Sequence, residues 1–375
     1  MVLSAGTSQG AFPPSIMEIQ TESTTHSEQE GREMDSAIVV AVDAMGGDDA
    51  PGVVLDGVAQ ALEELSQLNV LLCGPASVVE PFAAEHERCE AVPCTEVIGM
   101  GEHPAKAVRE KKDSSIVVGC RLVKEGRAAG FFTAGSTGAG LAAGTLVIGR
   151  IKGVKRPAIA TAVPKPGRPL VLCDVGANAD CKAAYLVQFA QMASVYANLV
   201  LGVEKPEVGL LNIGSEDTKG SQFAQECFAL LKEQVPNFKG NAEGTSLLTD
   251  EFDVVVTDGF TGNVCLKTFE GTAQFLGNQL KQALASAAGS DRSEVAAGAS
   301  KLVMGGLVQL KKTLDPDAMG GAPILGLKGT VLIGHGASNA RAIKNGVLAT
   351  ARCVELGVTE VTERAVTLQR AAEER

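Results

Sequence analysis

Tryptophan is absent from this 375-residue chain, tyrosine occurs twice, and aromatic residues make up only 4% of it although 45% is hydrophobic. A core of that kind has to be assembled from Val, Leu, Ile and Ala, as in parallel strands covered by Ala-rich helices. Histidine is scarce as well, with four residues. The nine cysteines form no C-x-x-C pair and no metal-ligand spacing with those histidines, which argues against a zinc site or a disulfide framework. Cys73, Cys120, Cys173, Cys265 and Cys353 sit in apolar stretches and read as reduced, small core residues. No uninterrupted apolar run of about 18 residues occurs, so no membrane span is expected. The N-terminus lacks the basic-then-apolar order of a signal peptide. Basic charge is in deficit too: a formal net charge of −11 argues against general nucleic-acid binding.

Glycine, in contrast, is abundant, with 43 residues clustered at the ends of strand-like runs. Residues 1–35 are rich in Ser, Thr, Glu and Gln and read as a disordered leader. From Ala37 onward, short apolar runs at 37–42, 69–74, 130–133, 157–163, 169–174, 207–213, 253–258 and 330–334 alternate with helical patterns. Those patterns fall at 51–66, 104–124, 138–150, 181–200, 218–233, 262–288, 292–313 and 338–355. The alternation predicts a mostly parallel sheet covered on both faces, one two-lobed α/β unit over 36–355 with 356–375 as a C-terminal tail.

Ligands of such sheets collect at the carboxyl ends of strands, and polar glycine turns fall at those places. Asp43-Ala-Met-Gly-Gly-Asp48 leads from a strand into a helix through Gly46 and Gly47, which let backbone approach a ligand closely. Ser136 and Thr137 open the next helix. Later turns carry Asp174, Asn178, Asp180 and Lys182, then Asn212, Ser215, Glu216 and Lys219, then Asp258, Thr261 and Asn263. His335 occupies the last. Strand-end turns favour Gly, Asn and Asp for conformational reasons, but the repeated amide, hydroxyl and lysine donors predict a shared polar site.

The motifs Asp43–Asp48, Lys111-Lys-Asp-Ser-Ser115, Asp174-Val-Gly-Ala-Asn-Ala-Asp-Cys-Lys182, Asn212-Ile-Gly-Ser-Glu-Asp217, Asp258-Gly-Phe-Thr-Gly-Asn-Val264, Gly320-Gly-Ala-Pro323 and His335-Gly336 come in one order. Over roughly 37–355 the chain closely resembles the phosphate acyltransferase (PlsX) family. The resemblance implies a three-layer αβα sandwich like that of isocitrate and isopropylmalate dehydrogenases and phosphotransacetylases. It implies transfer of a fatty acyl group from acyl-acyl-carrier protein to inorganic phosphate, giving acyl-phosphate for phospholipid synthesis. It also implies a homodimer in the cytoplasm, peripheral at the inner face of the cell membrane, touching it reversibly through a helical hairpin within 262–314. Asp49 stands where the family usually has His, and Ser136 where it usually has Asn.

That chemistry needs donors for a phosphate dianion and for a tetrahedral oxyanion, with no cofactor or metal. Asp43, Gly46, Gly47, Asp48, Ser136 and Thr137 are the expected phosphate cradles, with Lys182 as a point charge beside Asn178. Asn263 and Asn212 are expected at the carbonyl oxygen, and His335 as general acid or base; a capping or core histidine is its alternative. Asp174 and Asp258 are expected to hold Lys and Asn side chains in place. The turns at 45–48, 135–138 and 178–182 are expected to converge. Competing functions are a CoA-dependent phosphotransacetylase, a serine acyl hydrolase using Ser136 with Asp258 and His335, a metal- and NAD-dependent dehydrogenase of the same fold, and a carrier-binding module without turnover. The stretch 150–168 holds six basic residues and no acid and is expected to dock the acidic carrier, with 106–112 as the alternative. An apolar stripe through Val295, Leu302, Leu307, Leu310 and Leu314 flanked by lysines marks 283–314 for the membrane surface.

Overall fold

The computed structural model describes residues 37–290 and 320–373. Its centre is one eleven-stranded sheet in the order β3-β2-β1-β4-β11-β10-β5-β6-β9-β7-β8. In chain order these are β1 (Ile38–Asp43), β2 (Leu68–Gly74), β3 (Cys89–Pro93), β4 (Gly130–Thr133), β5 (Ala158–Val163), β6 (Leu170–Cys173), β7 (Val208–Leu211), β8 (Phe238–Ala242), β9 (Val254–Val256), β10 (Ala322–Leu325) and β11 (Thr330–Ile333). Among the described residues ten α-helices flank them: α1 (Gly52–Glu64), α2 (Ala76–Glu85), α3 (Pro104–Glu110), α4 (Ser115–Lys124), α5 (Thr137–Ala143), α6 (Ala183–Leu201), α7 (Gln222–Gln234), α8 (Gly259–Ser290), α9 (Ala340–Glu355) and α10 (Val358–Glu373).

Period-two alternation decides the layers. Val40 and Val42 face one core with α1, α6, α7 and α9, while Ala41 faces the other with α3, α4 and α5. Adjacent Phe131 and Phe132 divide between the same two cores. The ring of Phe131 lies against Gly119 of α4 and that of Phe132 against Gly346 of α9, where any side chain would displace it. The result is a three-layer αβα sandwich. α6 has the length and hydropathy of a membrane span, but it is 61% buried and packs against β6, β9, α7 and α10 as a core helix.

The sheet is mostly parallel, as expected, but three antiparallel pairings at its centre govern the site. β3, β2, β1, β4 and β11 run parallel. β10 is antiparallel to β11, β5 to β10, and β6 to β5. β6, β9, β7 and β8 are then parallel among themselves. The antiparallel steps through β10 and β5 turn the carboxyl ends of the second lobe toward the opposite edge from those of the first.

Other differences are local. The helix expected over 104–124 breaks into α3 and α4 where Asp113 bonds Thr95 and Glu96, fixing Lys111–Ser114 as a turn. Within the C-terminal segment, α10 (Val358–Glu373) buries Val358, Val361, Thr362 and Val366. α8 begins before and ends after the helical pattern expected over 262–288, running from Gly259 to Ser290. The leader and the second half of the expected hairpin, including its apolar stripe, lie outside the described residues.

Candidate active site

The polar turns form two groups. At the carboxyl edge of β1, β4 and β11, Asp43 is buried and accepts the Thr133 hydroxyl proton at 2.7 Å and the Met45 N–H at 3.0 Å. Gly135 N–H in turn donates to Thr133 Oγ1 at 2.9 Å. Burial pushes the Asp43 carboxyl above its ordinary range, opposed by hydrogen bonds from Ser115, Thr133 and Met45. A Cβ on Gly46 would stand 2.7 Å from Gly135 N and 2.9 Å from Asp43 Oδ2, so the two turns touch backbone to backbone. Gly47 has φ of 115°, and Asp48 N–H donates to Gly336 O at 2.8 Å. His335 is exposed; its Nδ1 accepts the Ala337 N–H at 3.2 Å, which leaves Nε2 to carry the proton of the neutral ring. It is neither a core nor a helix-capping histidine. Ser136 is the N-cap of α5, accepting Ala139 N–H, and Thr137 is exposed beside it.

At the carboxyl edge of β6, β7 and β9, Asp174 is fully buried and accepts five hydrogen bonds: from the N–H groups of Ile159, Gly176, Ala177 and Asn178 and from the Asn178 amide. Desolvation raises its pKa while those donors oppose the rise. Asn178 Nδ2 also donates to Pro157 O at 2.8 Å. Asp174 therefore holds Asn178, the positioning contact expected of it. Gly259 and Gly262 at the start of α8 press against the same turn, where a Cβ would overlap Asp174. Asp258 holds the N–H and hydroxyl of its own Thr261 rather than a Lys or Asn. Asn212 bridges Lys219 O and Asn241, a loop brace rather than a substrate donor. Asn263 is exposed and lies against Gly176, and Lys182 is exposed at the N-cap of α6. Cys181 stands in this turn with its thiol pushed up to about 11 by burial, too high for a thiolate nucleophile near neutrality.

The shared site expected from sequence is thus divided. Strands lie about 4.8 Å apart and rise about 3.3 Å per residue, so the route from Thr133 across β11, β10 and β5 to Asp174 separates the edges by roughly 20 Å. Turns 45–48 and 135–138 meet each other; 178–182 meets 259–263 instead. His335 is therefore remote from Lys182 and Asn263 within one chain. So are Ser136 and His335 from Asp258, which removes the serine-hydrolase triad. Thr133, Gly176 and Gly336 lie inside the runs and motifs read from the sequence, but the sequence assigned none of them a role of its own. Thr133, the polar last residue of an apolar strand, carried the one readable signal.

A family model described as a fatty acid synthesis protein matches residues 38–361. A phosphate acyltransferase of Desulfitobacterium hafniense (strain Y51) is 44% identical over 339 residues, covering 89% of this chain and 99% of that protein. One from Lysinibacillus sphaericus is 46% identical over 305 residues, 81% and 91% of the two chains. The chain belongs to the phosphate acyltransferase (PlsX) family. The fold is also that of a Streptococcus pyogenes phosphotransacetylase (TM-score 0.55, 16% identity, 91% of this chain and 100% of that one). A Staphylococcus aureus EutD phosphotransacetylase aligns similarly (TM-score 0.52, 16% identity, 90% and 99%). Against the family pattern, the serine at 136 keeps a helix-capping side chain, and Asp49 is exposed at the entry to α1.

Proposed function

We propose that this protein transfers a fatty acyl group from the thioester of acyl-acyl-carrier protein to inorganic phosphate, with the chemistry at the Asp174 edge. Family membership supports the reaction class. The observation that carries the location is the free donor pair there. Among the described residues neither the Asn263 amide nor the Lys182 ammonium has a side-chain partner, while the adjacent carboxylates Asp174 and Asp258 are already bonded. The other edge sets Asp43, Asp48 and Asp49 where a dianion would bind, and its Lys111 is paired with Glu102 at 2.7 Å.

A phosphate oxygen attacks the thioester carbonyl, the Asn263 amide donates to the developing oxyanion, and Lys182 balances the phosphate charge. The carbon–sulfur bond then breaks, and the proton of hydrogen phosphate ends on the leaving thiolate. Atoms and charge balance without an outside acid, so a distant His335 is no obstacle. Purified enzyme assayed for acyl-phosphate tests this: Asn263→Ala or Lys182→Ala should lower kcat roughly 10²-fold or more, His335→Ala less than threefold. The reverse ranking would move the site to the Asp43 edge.

The family likeness also supports a cytoplasmic homodimer that touches the inner face of the membrane. Phe260, Val264, Phe275 and Leu276 of α8 are exposed, apolar surface that a second copy or a lipid layer would cover. Sedimentation of the full chain with and without anionic vesicles separates these coverings. A monomer that ignores vesicles would remove both.

A further inference from the structure

The basic stretch 150–168 is divided by the structure. β5 and β6 form a hairpin, and the connection at its tip holds Lys165 and Arg168, far from the strand start where the other four basic residues lie. Lys165 is buried and donates to Thr249 O at 2.6 Å and to Asp250. It is an internal brace.

The remaining four stand on a rigid loop. Ile151 and Val154 are buried, which turns Arg150, Lys152, Lys155 and Arg156 to solvent. The buried Gln188 of α6 grips the loop from below, accepting Lys155 N–H at 2.8 Å and donating to Gly153 O at 3.0 Å. Ile151 N–H donates to Gly326 O, and Lys328 N–H to Gly149 O at 2.9 Å, so the exposed Lys328 joins from the β10–β11 turn. Arg150 is spent on the carbonyls of Val154 and Lys155. Among the described residues Lys152, Lys155, Arg156 and Lys328 have no carboxylate partner, unlike Lys111, Lys232, Lys239 and Lys344. The loop continues directly into Pro157, whose carbonyl is bonded by Asn178 of the Asp174 edge.

We propose that this platform, Lys152, Lys155 and Arg156 with Lys328, is where the acidic acyl-carrier protein docks to deliver its thioester arm to the Asp174 edge. The assignment rests on the acyl transfer proposed above. In a chain of net charge −11, a fixed group of unpaired cations is a local inversion of sign that attracts an acidic domain and orients it. The rival basic helix α3 lies on the other edge, packed against α5.

The test compares Lys152→Glu/Lys155→Glu/Arg156→Glu with Lys106→Glu/Lys112→Glu in the full chain, with folding checked by circular dichroism. The first variant should raise KM for acyl-acyl-carrier protein about tenfold or more and flatten its salt dependence. Its kcat, its KM for phosphate and its turnover of an acyl-pantetheine thioester should stay within about twofold, since charges outside the site act on encounter. The second variant should behave as wild type. An unchanged KM and salt profile in the first, or a rise confined to the second, overturns the docking site. If wild type makes no acyl-phosphate at all, the function fails separately; titration of labelled acyl-carrier protein then still reads the platform, and equal affinity for wild type and the first variant overturns it.

Discussion

Each of the two carboxyl edges is organised around a buried aspartate, and the two are held in different ways. Asp43 is bonded across the sheet, by a hydroxyl from Thr133 ninety residues further on, and so fastens two turns of separate origin together. Asp174 is bonded mainly by its own turn, the N–H groups of 176–178, with Ile159 from the neighbouring strand. The first carboxylate is a clamp between distant segments; the second shapes one short loop and leaves Asn263 and Lys182 to face outward. A saturated carboxylate beside unsatisfied amide and ammonium donors suits an anionic substrate, because its charge is already matched by N–H dipoles.

This contrast is sharpest in stability. Asp174→Ala strands four backbone N–H groups and the Asn178 amide, at about 1–3 kcal/mol for each donor that water cannot reach. A total loss above about 4 kcal/mol is expected in denaturant unfolding at pH 7. Asp43→Ala frees two rotatable hydroxyls, of Ser115 and Thr133, and one N–H while removing a carboxyl that burial disfavours, and about 2 kcal/mol is expected. Equal losses would mean that the two edges are built alike.

The pH dependence is a smaller effect. Folding raises the Asp43 pKa above 3.8, burial outweighing the hydrogen bonds from Ser115, Thr133 and Met45. Its contribution is therefore fully present below pH 3.8 and is lost as pH rises through the higher folded value. Asp43→Asn cannot titrate, and Asp174 is common to both proteins. The stability of wild type minus that of Asp43→Asn should fall as pH rises above 3.8 and then level off. A difference that grows with pH would show the hydrogen bonds outweighing burial.

Much of this was legible in the chain. Apolar runs ending in glycine turns located eight strands, and Asp174-Val-Gly-Ala-Asn marked its loop because nearly all the bonding there is local. β10 was not legible. Ala322-Pro-Ile-Leu325 is four residues long and contains a proline, and the direction of a strand has no sequence period. That one reversal, with β5 as its partner, is why the six turns look like one site in sequence and form two in space. α10 was missed for a related reason: its pattern of Val358, Val361 and Val366 is spaced by charged residues and becomes a core face against α6 and α9.

The smallest expected effect concerns Ser136, which sequence offered both as a phosphate ligand and as a nucleophile. Its Oγ accepts the Ala139 N–H at 3.4 Å, the capping bond of α5, and its side chain is largely buried. Asn caps helices as well as Ser does, so the residue usual in the family can take the same role. Ser136→Asn should change stability by no more than about 0.5 kcal/mol and kcat by less than about twofold. Ser136→Ala should lose about 1 kcal/mol, the typical value of a cap, and keep its turnover. If Ser136→Ala instead abolishes acyl-phosphate formation in a folded protein, the Asp43 edge takes part in the chemistry. The division between a structural clamp and a reactive edge would then have to be given up.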